Sequence, residues 1–176
     1  ALHSVMKQRG TYLVGPMARY ALNRDRLPAE IRALADEVGL EPVCRNPFRS
    51  ILVRALEVVY ACDEALRLIA AYEPLPRPLI PPEPCAAVGY ACTEAPRGIL
   101  YHRYNLDRGG TILEARLVPP TAQNQSVIEE DVRDLANAAL DLEDEALQAH
   151  CEQSIRNHDP CISCAAHFLK LQVRRE

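Results

Sequence analysis

Cys161, Cys164 and His167 stand at three-residue intervals in the stretch HDPCISCAAHFLKLQVRRE, residues 158 to 176. A Cys-x-x-Cys turn brings two sulfurs around a common centre, so both thiolates can touch one ion, and His167 follows one turn later. Three readings fit these residue types. A zinc site would use Cys161 and Cys164, with His167, His158 or Cys151 completing a tetrahedron. Structural zinc sites usually add a second paired element, and that spacing is not seen here. A thiol redox pair is expected at the start of a helix after a strand, whereas here a helical pattern precedes it. The third reading is a pair of small buried core thiols, against which the flanking Asp159, Pro160 and His167 weigh.

The elements that must position this segment are mostly helical. In PAEIRALADEVG, Pro28 suits a first turn, Ile31, Leu34, Ala35 and Val38 share a face, and Gly39 fits beyond the end. A longer helix is predicted from Asn46 to about Tyr72, capped by Asn46 and started by Pro47. Its apolar face is Leu52, Leu56, Val59, Leu66 and Ala70, with Arg54, Glu57, Glu64 and Arg67 largely elsewhere. EPLPRPLIPPEP holds six of the fourteen prolines in twelve residues, so it is neither helix nor central strand. Leu75, Leu79 and Ile80 favour an extended segment lying on a surface over a linker between domains.

In ILYHRYNLDRGGTILEARLV, two apolar and aromatic runs flank Asp107-Arg108-Gly109-Gly110, which predicts a β-hairpin. Ser126-Val127-Ile128-Glu129 reads as a capping box opening a helix with Ile128, Val132, Leu135 and Ala136 on one side. Another helix is predicted from about Asp144 to Asn157. The opening residues through Tyr12, Leu13 and Val14 show no clear period. The fold class is therefore mainly α with a small β-hairpin (α+β), read as a single domain over residues 1–176.

Composition narrows the function classes. The chain has 176 residues, 48% hydrophobic and 25% charged, which suits one globular domain with a real core. Its net charge of −4 is spread rather than gathered into a basic face, which argues against nucleic acid as the main partner. No run approaches the ~20 apolar residues of a membrane span, and no signal peptide opens the chain, so the sequence reads as cytosolic. Seven cysteines, an odd number, disfavour a disulfide framework. Cys62 and Cys151 lie in helical patterns and read as core residues. Ala1 in place of Met suggests a piece of a longer chain.

Asp159-Pro160-Cys161-x-x-Cys164-x-x-His167 resembles the C-terminal signature of the large subunit of nickel-iron hydrogenases. Glu94-Ala95-Pro96-Arg97-Gly98-Ile99-Leu100-Tyr101-His102 resembles that family's Glu-x-x-Arg-Gly-x-x-x-His element. Val118-Pro119-Pro120-Thr121 stands where the family places a loop against iron diatomics, and the order and spacing of all three agree. GTYLVGPMARY, RNPFRSILVRALEVVYACDEALRL and TAQNQSVIEEDV read most like the soluble, cytoplasmic, cofactor-linked group, so the resemblance extends over most of the chain.

The resemblance implies a nickel–iron centre whose iron carries cyanide and carbon monoxide. Cys161 would be a terminal nickel ligand and Cys164 a thiolate bridging nickel and iron; soft anionic sulfur suits nickel through redox change and can accept a proton. His167 would bind a structural Mg2+. Arg97 would lie over the open nickel–iron position with Asp159 beside it, Pro96 would shape the dry wall, and Thr121 could hydrogen-bond a cyanide. Glu94 and His102 would belong to proton or hydrogen-bond networks. The implied reaction is reversible oxidation of H2. Electrons would leave through an iron-sulfur small subunit and diaphorase-type electron-transfer subunits, reaching NAD(P) or a similar carrier. Residues 168–176 would be a C-terminal tail trimmed by a maturation endopeptidase.

Two departures stand out. Pro120 occupies a position where many relatives carry a hydroxyl. The family's early cysteine pair, which supplies the other two nickel ligands, and its early magnesium-binding glutamate have no counterpart before Cys44. These residues therefore read as the C-terminal part of a large subunit holding half of the nickel ligands, inactive alone. A non-enzymatic scaffold relative and a zinc-binding module are the rival readings.

Overall fold

The computed structural model describes residues 3–160. Its elements run α1 (Pro16–Asn23), α2 (Ala29–Glu37), α3 (Ser50–Ala70), β1 (Ala87–Ala95), β2 (Gly98–Leu106), β3 (Ile112–Val118), α4 (Pro120–Ala138) and α5 (Asp144–Asn157). Short 3-10 turns at Arg24–Arg26 and Pro47–Arg49 precede α2 and α3. The fold is mainly helical with a small antiparallel sheet in the order β1-β2-β3.

Helix α1 is absent from the sequence reading because its eight residues span barely two turns, too few for a period to show. Pro16 starts it, and it buries Met17 and Tyr20. Helix α2 buries Ile31 and Ala35, then ends where Gly39 takes a φ of +68°. The Leu40 amide donates back to the Ala35 carbonyl at 2.8 Å, the six-to-one bond of a Schellman ending. Val38 therefore falls past the helix and is exposed rather than on the buried face.

Asn46 caps the turn into α3 by accepting from the Phe48 amide at 2.9 Å. The first half of α3 buries Ser50, Val53 and Leu56, with Leu52 and Tyr60 half-buried beside them. The rest of the predicted apolar face is uncovered: Val59, Leu66 and Ala70 are exposed, because α1 and α2 cover only the N-terminal turns of α3. One core cluster joins Met17, Tyr20, Ile31, Ala35, Leu40, Cys44, Val53 and Leu56. Cys151 is buried as expected, but Cys62 is exposed, on the uncovered part of α3. The proline-rich segment 73–84 has no helix or strand, and Leu75, Leu79 and Ile80 are exposed rather than laid on a surface.

Strands β2 and β3 form the predicted hairpin, with pairs from Tyr101↔Val118 to Leu106↔Ile112. Asp107 organises its turn: Oδ1 accepts from the Gly109 amide at 2.8 Å and the Thr111 amide at 2.9 Å. Strand β1 is a third strand that the sequence reading lacked. Its run AVGYACTEA carries Gly89 as its third residue and Ala87, Ala91 and Ala95 besides, which weakens the β signal of Val88, Tyr90 and Thr93. It pairs with β2 from Ala87↔Leu106 to Ala95↔Gly98, leaving Pro96 and Arg97 as a two-residue connection.

Helix α4 begins at Pro120, six residues before the expected capping box. Proline at the first helical position loses no bond, because that N–H would be unpaired anyway. Ser126 and Glu129 thus lie inside the helix, and Glu129 accepts from Gln125 Nε2 at 2.9 Å and bonds His3 Nε2 at the same distance. Helix α5 has the predicted bounds and buries Leu147, Cys151 and Ser154. Among the described residues no helix is long and apolar enough to cross a membrane.

Candidate functional site

Arg97 sits in the tight β1–β2 connection, and the backbone there is fixed by two glycines. Gly15 has φ +102°, and a Cβ on it would stand 2.5 Å from the Arg97 carbonyl oxygen. Gly98 has φ +135°, and a Cβ on it would overlap the Val14 side chain. Each position needs glycine for its dihedral and for the close approach of two backbones. The consequence is that residues 14–15 and 97–98 lie chain against chain.

A pair of buried amides holds the other side of this contact. Asn124 Oδ1 accepts from the Val14 amide at 2.8 Å, and its Nδ2 donates to the Val14 carbonyl at 3.1 Å, so one side chain satisfies both backbone groups of Val14. Gln123 Nε2 donates to the Ile99 carbonyl at 2.5 Å, while its Oε1 accepts from Tyr12 Oη at 3.2 Å. Helix α4 is thereby tied both to the N-terminal segment and to the strand that follows Arg97. The same segment is laced to α4 through the Ser4 amide, which donates to the Ala122 carbonyl at 2.9 Å, and through Thr11 Oγ1, which donates to Glu130 at 3.1 Å. Side-chain lacing explains the lack of period there.

The Arg97 guanidinium meets the end of α5. Its Nε donates to the Asp159 carbonyl at 2.6 Å and stands 3.2 Å from Asp159 Oδ2. Both side chains are more than a third exposed, so as an ion pair they add little to stability, under about 1 kcal/mol. What the contact fixes is position: Asp159, at φ +46°, is two residues before Cys161.

Below it the end of α5 is fastened by buried polar groups. Ser50 Oγ donates to the Asn157 carbonyl at 2.6 Å. His158 Nε2 pairs with Asp131 Oδ2 at 2.8 Å, and its ring is 4% exposed. Burial holds the His158 pKa below the ordinary imidazole value, opposed in part by Asp131 and aided by the Arg54 cation. Ser154 Oγ and Asn157 Nδ2 are buried and take no partner among the described residues. Unpaired polar atoms are rare inside proteins, and these two flank the stem that leads into the cysteine segment.

The remaining expected residues are placed as follows. Pro96 shares the turn with Arg97 and is exposed in this chain. Glu94 receives Arg19 Nη1 at 2.5 Å. The His102 ring stacks on Tyr104, centroids 6.0 Å apart. Thr121 is the second residue of α4, two before Gln123, which bonds the Ile99 carbonyl. Pro120 is buried at the helix start. Cys161, Cys164 and His167 lie outside the described residues, and among the described residues no three His, Cys, Asp or Glu groups could hold a metal ion.

Arg19, Gln123 and Asn124 carry much of this framework without standing out in the sequence, and His158, a candidate zinc ligand there, is instead paired with Asp131. Two adjacent amides just after a double proline were the available signal for Gln123 and Asn124. Arg19 had none, since a single arginine in a short helix is usually a surface residue.

A family model described as nickel-dependent hydrogenase matches residues 10–167, and the chain belongs to that family. It is 34% identical to the sulfhydrogenase 1 subunit alpha of Pyrococcus furiosus over 97% of this chain and 40% of that one. It is 30% identical to the NAD-reducing hydrogenase HoxS subunit beta of Cupriavidus necator over 96% of this chain and 36% of that one. A crystal structure of an NAD+-reducing [NiFe]-hydrogenase in the H2-reduced state superposes with a TM-score of 0.72 at 29% identity, covering 92% of this chain and 37% of the other. The chain thus spans about two fifths of the length of these relatives.

Proposed function

We propose that this chain supplies the Cys161–Cys164 half of the thiolate cage of a hydrogenase large subunit, and that the assembled enzyme interconverts H2 with protons and electrons. The observation that carries the reading is the Arg97–Asp159 contact, which sets a cation beside the backbone stem two residues before Cys161. The donor set fits the group: two soft thiolates and an imidazole follow in sequence on a stem held by two hydrogen bonds, one from buried Ser50 and one from the buried His158 ring.

When bound, the nickel–iron centre with its cyanide and carbon monoxide ligands would supply the redox metals at which hydrogen divides. The chain's own residues do the rest. Cys161 and Cys164 offer anionic sulfur to the metals, and Sγ of either can hold a proton as the H–H bond divides. Arg97, fixed through its backbone by Gly15 and through Nε by Asp159, presents its remaining N–H groups as rigid donors beside that position. Pro96 shapes the adjoining wall, Thr121 would offer its hydroxyl to a cyanide of that centre, and His167 would hold Mg2+. Electrons pass to an iron-sulfur small subunit and onward through diaphorase-type subunits to NAD(P), the reading favoured by the NAD-linked relatives. Residues 168–176 are the tail that a maturation endopeptidase removes.

The test is Cys161→Ser in the complete subunit assembled with its partners, with Cys62→Ser as control. The expected result is loss of nickel and of hydrogen uptake in the first and retention of both in the second. Unchanged nickel in Cys161→Ser, or zinc as the metal that copurifies, overturns the reading.

A further inference from the structure

We propose that Arg19 is a positioning residue for Arg97, acting through the backbone of the turn that carries it; the inference rests on the reading of Arg97 given above. Arg19 uses every N–H it has. Nε donates to Glu57 Oε1 at 2.7 Å and Nη2 to Glu57 Oε2 at 2.9 Å, a bidentate pair with α3. Nη1 donates to Glu94 Oε1 at 2.5 Å and to the Ala95 carbonyl at 2.9 Å. The last donor, on Nη2, reaches the Pro96 carbonyl at 2.7 Å.

Five donors thus meet five oxygens on α3, on β1 and in the turn after it, and the two carbonyls are those of the residues just before Arg97. Glu57 sets the plane of the guanidinium, and its hydrogen bond is the largest influence raising the Arg19 pKa further above its already high value. The plane in turn sets where the Ala95 and Pro96 carbonyls can lie. Gly15, the N-cap residue of the helix that carries Arg19, lies close against the Arg97 carbonyl. Helix α1 therefore grips the turn twice, before and at Arg97, and its burial of Met17 and Tyr20 fixes the helix itself.

A merely stabilising ion pair needs Glu57 alone. Arg19 and Glu57 are partly exposed and Glu94 is half exposed, so these pairs contribute little more than surface salt bridges do. The donors spent on carbonyls are explained by the placement of the turn. Lysine has three donors on a point charge and cannot reproduce this fork.

The experiment uses the complete, metal-loaded enzyme with Arg19→Lys, Arg97→Lys and the double variant. For Arg19→Lys the expected result is nickel content retained, KM little changed and kcat lowered about tenfold to hundredfold, the scale of a misplaced group. The infrared stretching bands of the iron-bound diatomics shift in the direction seen for Arg97→Lys, and Arg19→Lys adds almost nothing in the Arg97→Lys background. Full additivity in the double variant, or unchanged bands and kcat in Arg19→Lys, overturns the proposal while leaving Arg97's role intact. No effect of Arg97→Lys overturns the role of Arg97 and this inference with it. Should Arg19→Lys fail to fold, Glu57→Gln loosens the same guanidinium; a smaller kcat loss that vanishes in the Arg97→Lys background supports the proposal, and an additive loss overturns it.

Discussion

His158 shows how one side chain couples the site framework to pH. Its ring is buried against Asp131, with the Arg54 cation also acting on it, and burial dominates by disfavouring the charged form. The folded pKa lies below the unfolded value of 6.5, so below that value the unfolded chain binds a proton the folded chain refuses. Stability from this group is complete above pH 6.5 and is lost as pH falls through the folded pKa, with a slope of at most about 1.4 kcal/mol per pH unit. Urea titrations of wild type and His158→Gln between neutral and mildly acidic pH are expected to show a shallower pH slope for the variant. Equal slopes would place the acid sensitivity elsewhere.

Among the elements, α3 divides into a covered half and an uncovered half, and stability should divide with it. Leu56 is 4% exposed in the core cluster, whereas Leu66 is 68% exposed. Leu56→Ala is expected to destabilise by about 2–5 kcal/mol through lost contacts and a cavity. Leu66→Ala is expected to stay within about 0.5 kcal/mol. Thermal unfolding of the two variants, run under one set of conditions, checks the contrast; equal losses would mean that the C-terminal turns of α3 are packed.

The same helix shows what a sequence can and cannot convey. Its existence, its cap at Asn46 and the bounds of α5 were legible because period, capping residue and proline position are local. How far a partner covers the apolar stripe is not local, so the sequence shows the stripe through Val59 and Leu66 but not that this part of it is exposed. Strand β1 was missed for the same reason: Val88, Tyr90 and Thr93 favour a strand, but Gly89 and three alanines dilute them, and pairing with β2 decides it. The capping-box reading of Ser126 lost to a proline start that lay six residues upstream. At the site, Arg97 and Asp159 were legible as motif members and the structure sets them side by side. The residues that hold them there, Arg19, Gln123 and Asn124, act over distances of 24 to 110 residues, so their partners could not be read locally.

For the whole molecule, the main feature is apolar surface without cover. Leu66, Leu68 and Ile69 on α3, Leu79 and Ile80 in the proline segment, and Ile112 and Leu113 on β3 are all more than half exposed. Patches of this kind mark interfaces or association. Sedimentation velocity on the 1–176 chain alone is expected to show growing association with concentration, reduced by Leu66→Glu with Ile69→Glu. A monomer at all concentrations would show that these side chains are covered.

The Asn124 clamp on Val14 has a consequence in time. The two residues lie 110 positions apart, so closing that loop carries an entropic barrier of about 4 kcal/mol before any bond forms. At a ribosomal pace of roughly 5–20 residues per second, Asn124 is made about 5–20 s after Val14. Until then the backbone against which Arg97 is to be seated is unanchored on its α4 side. The Arg97 turn is thus among the last parts of the fold to become rigid, although its own residues are synthesised before α4.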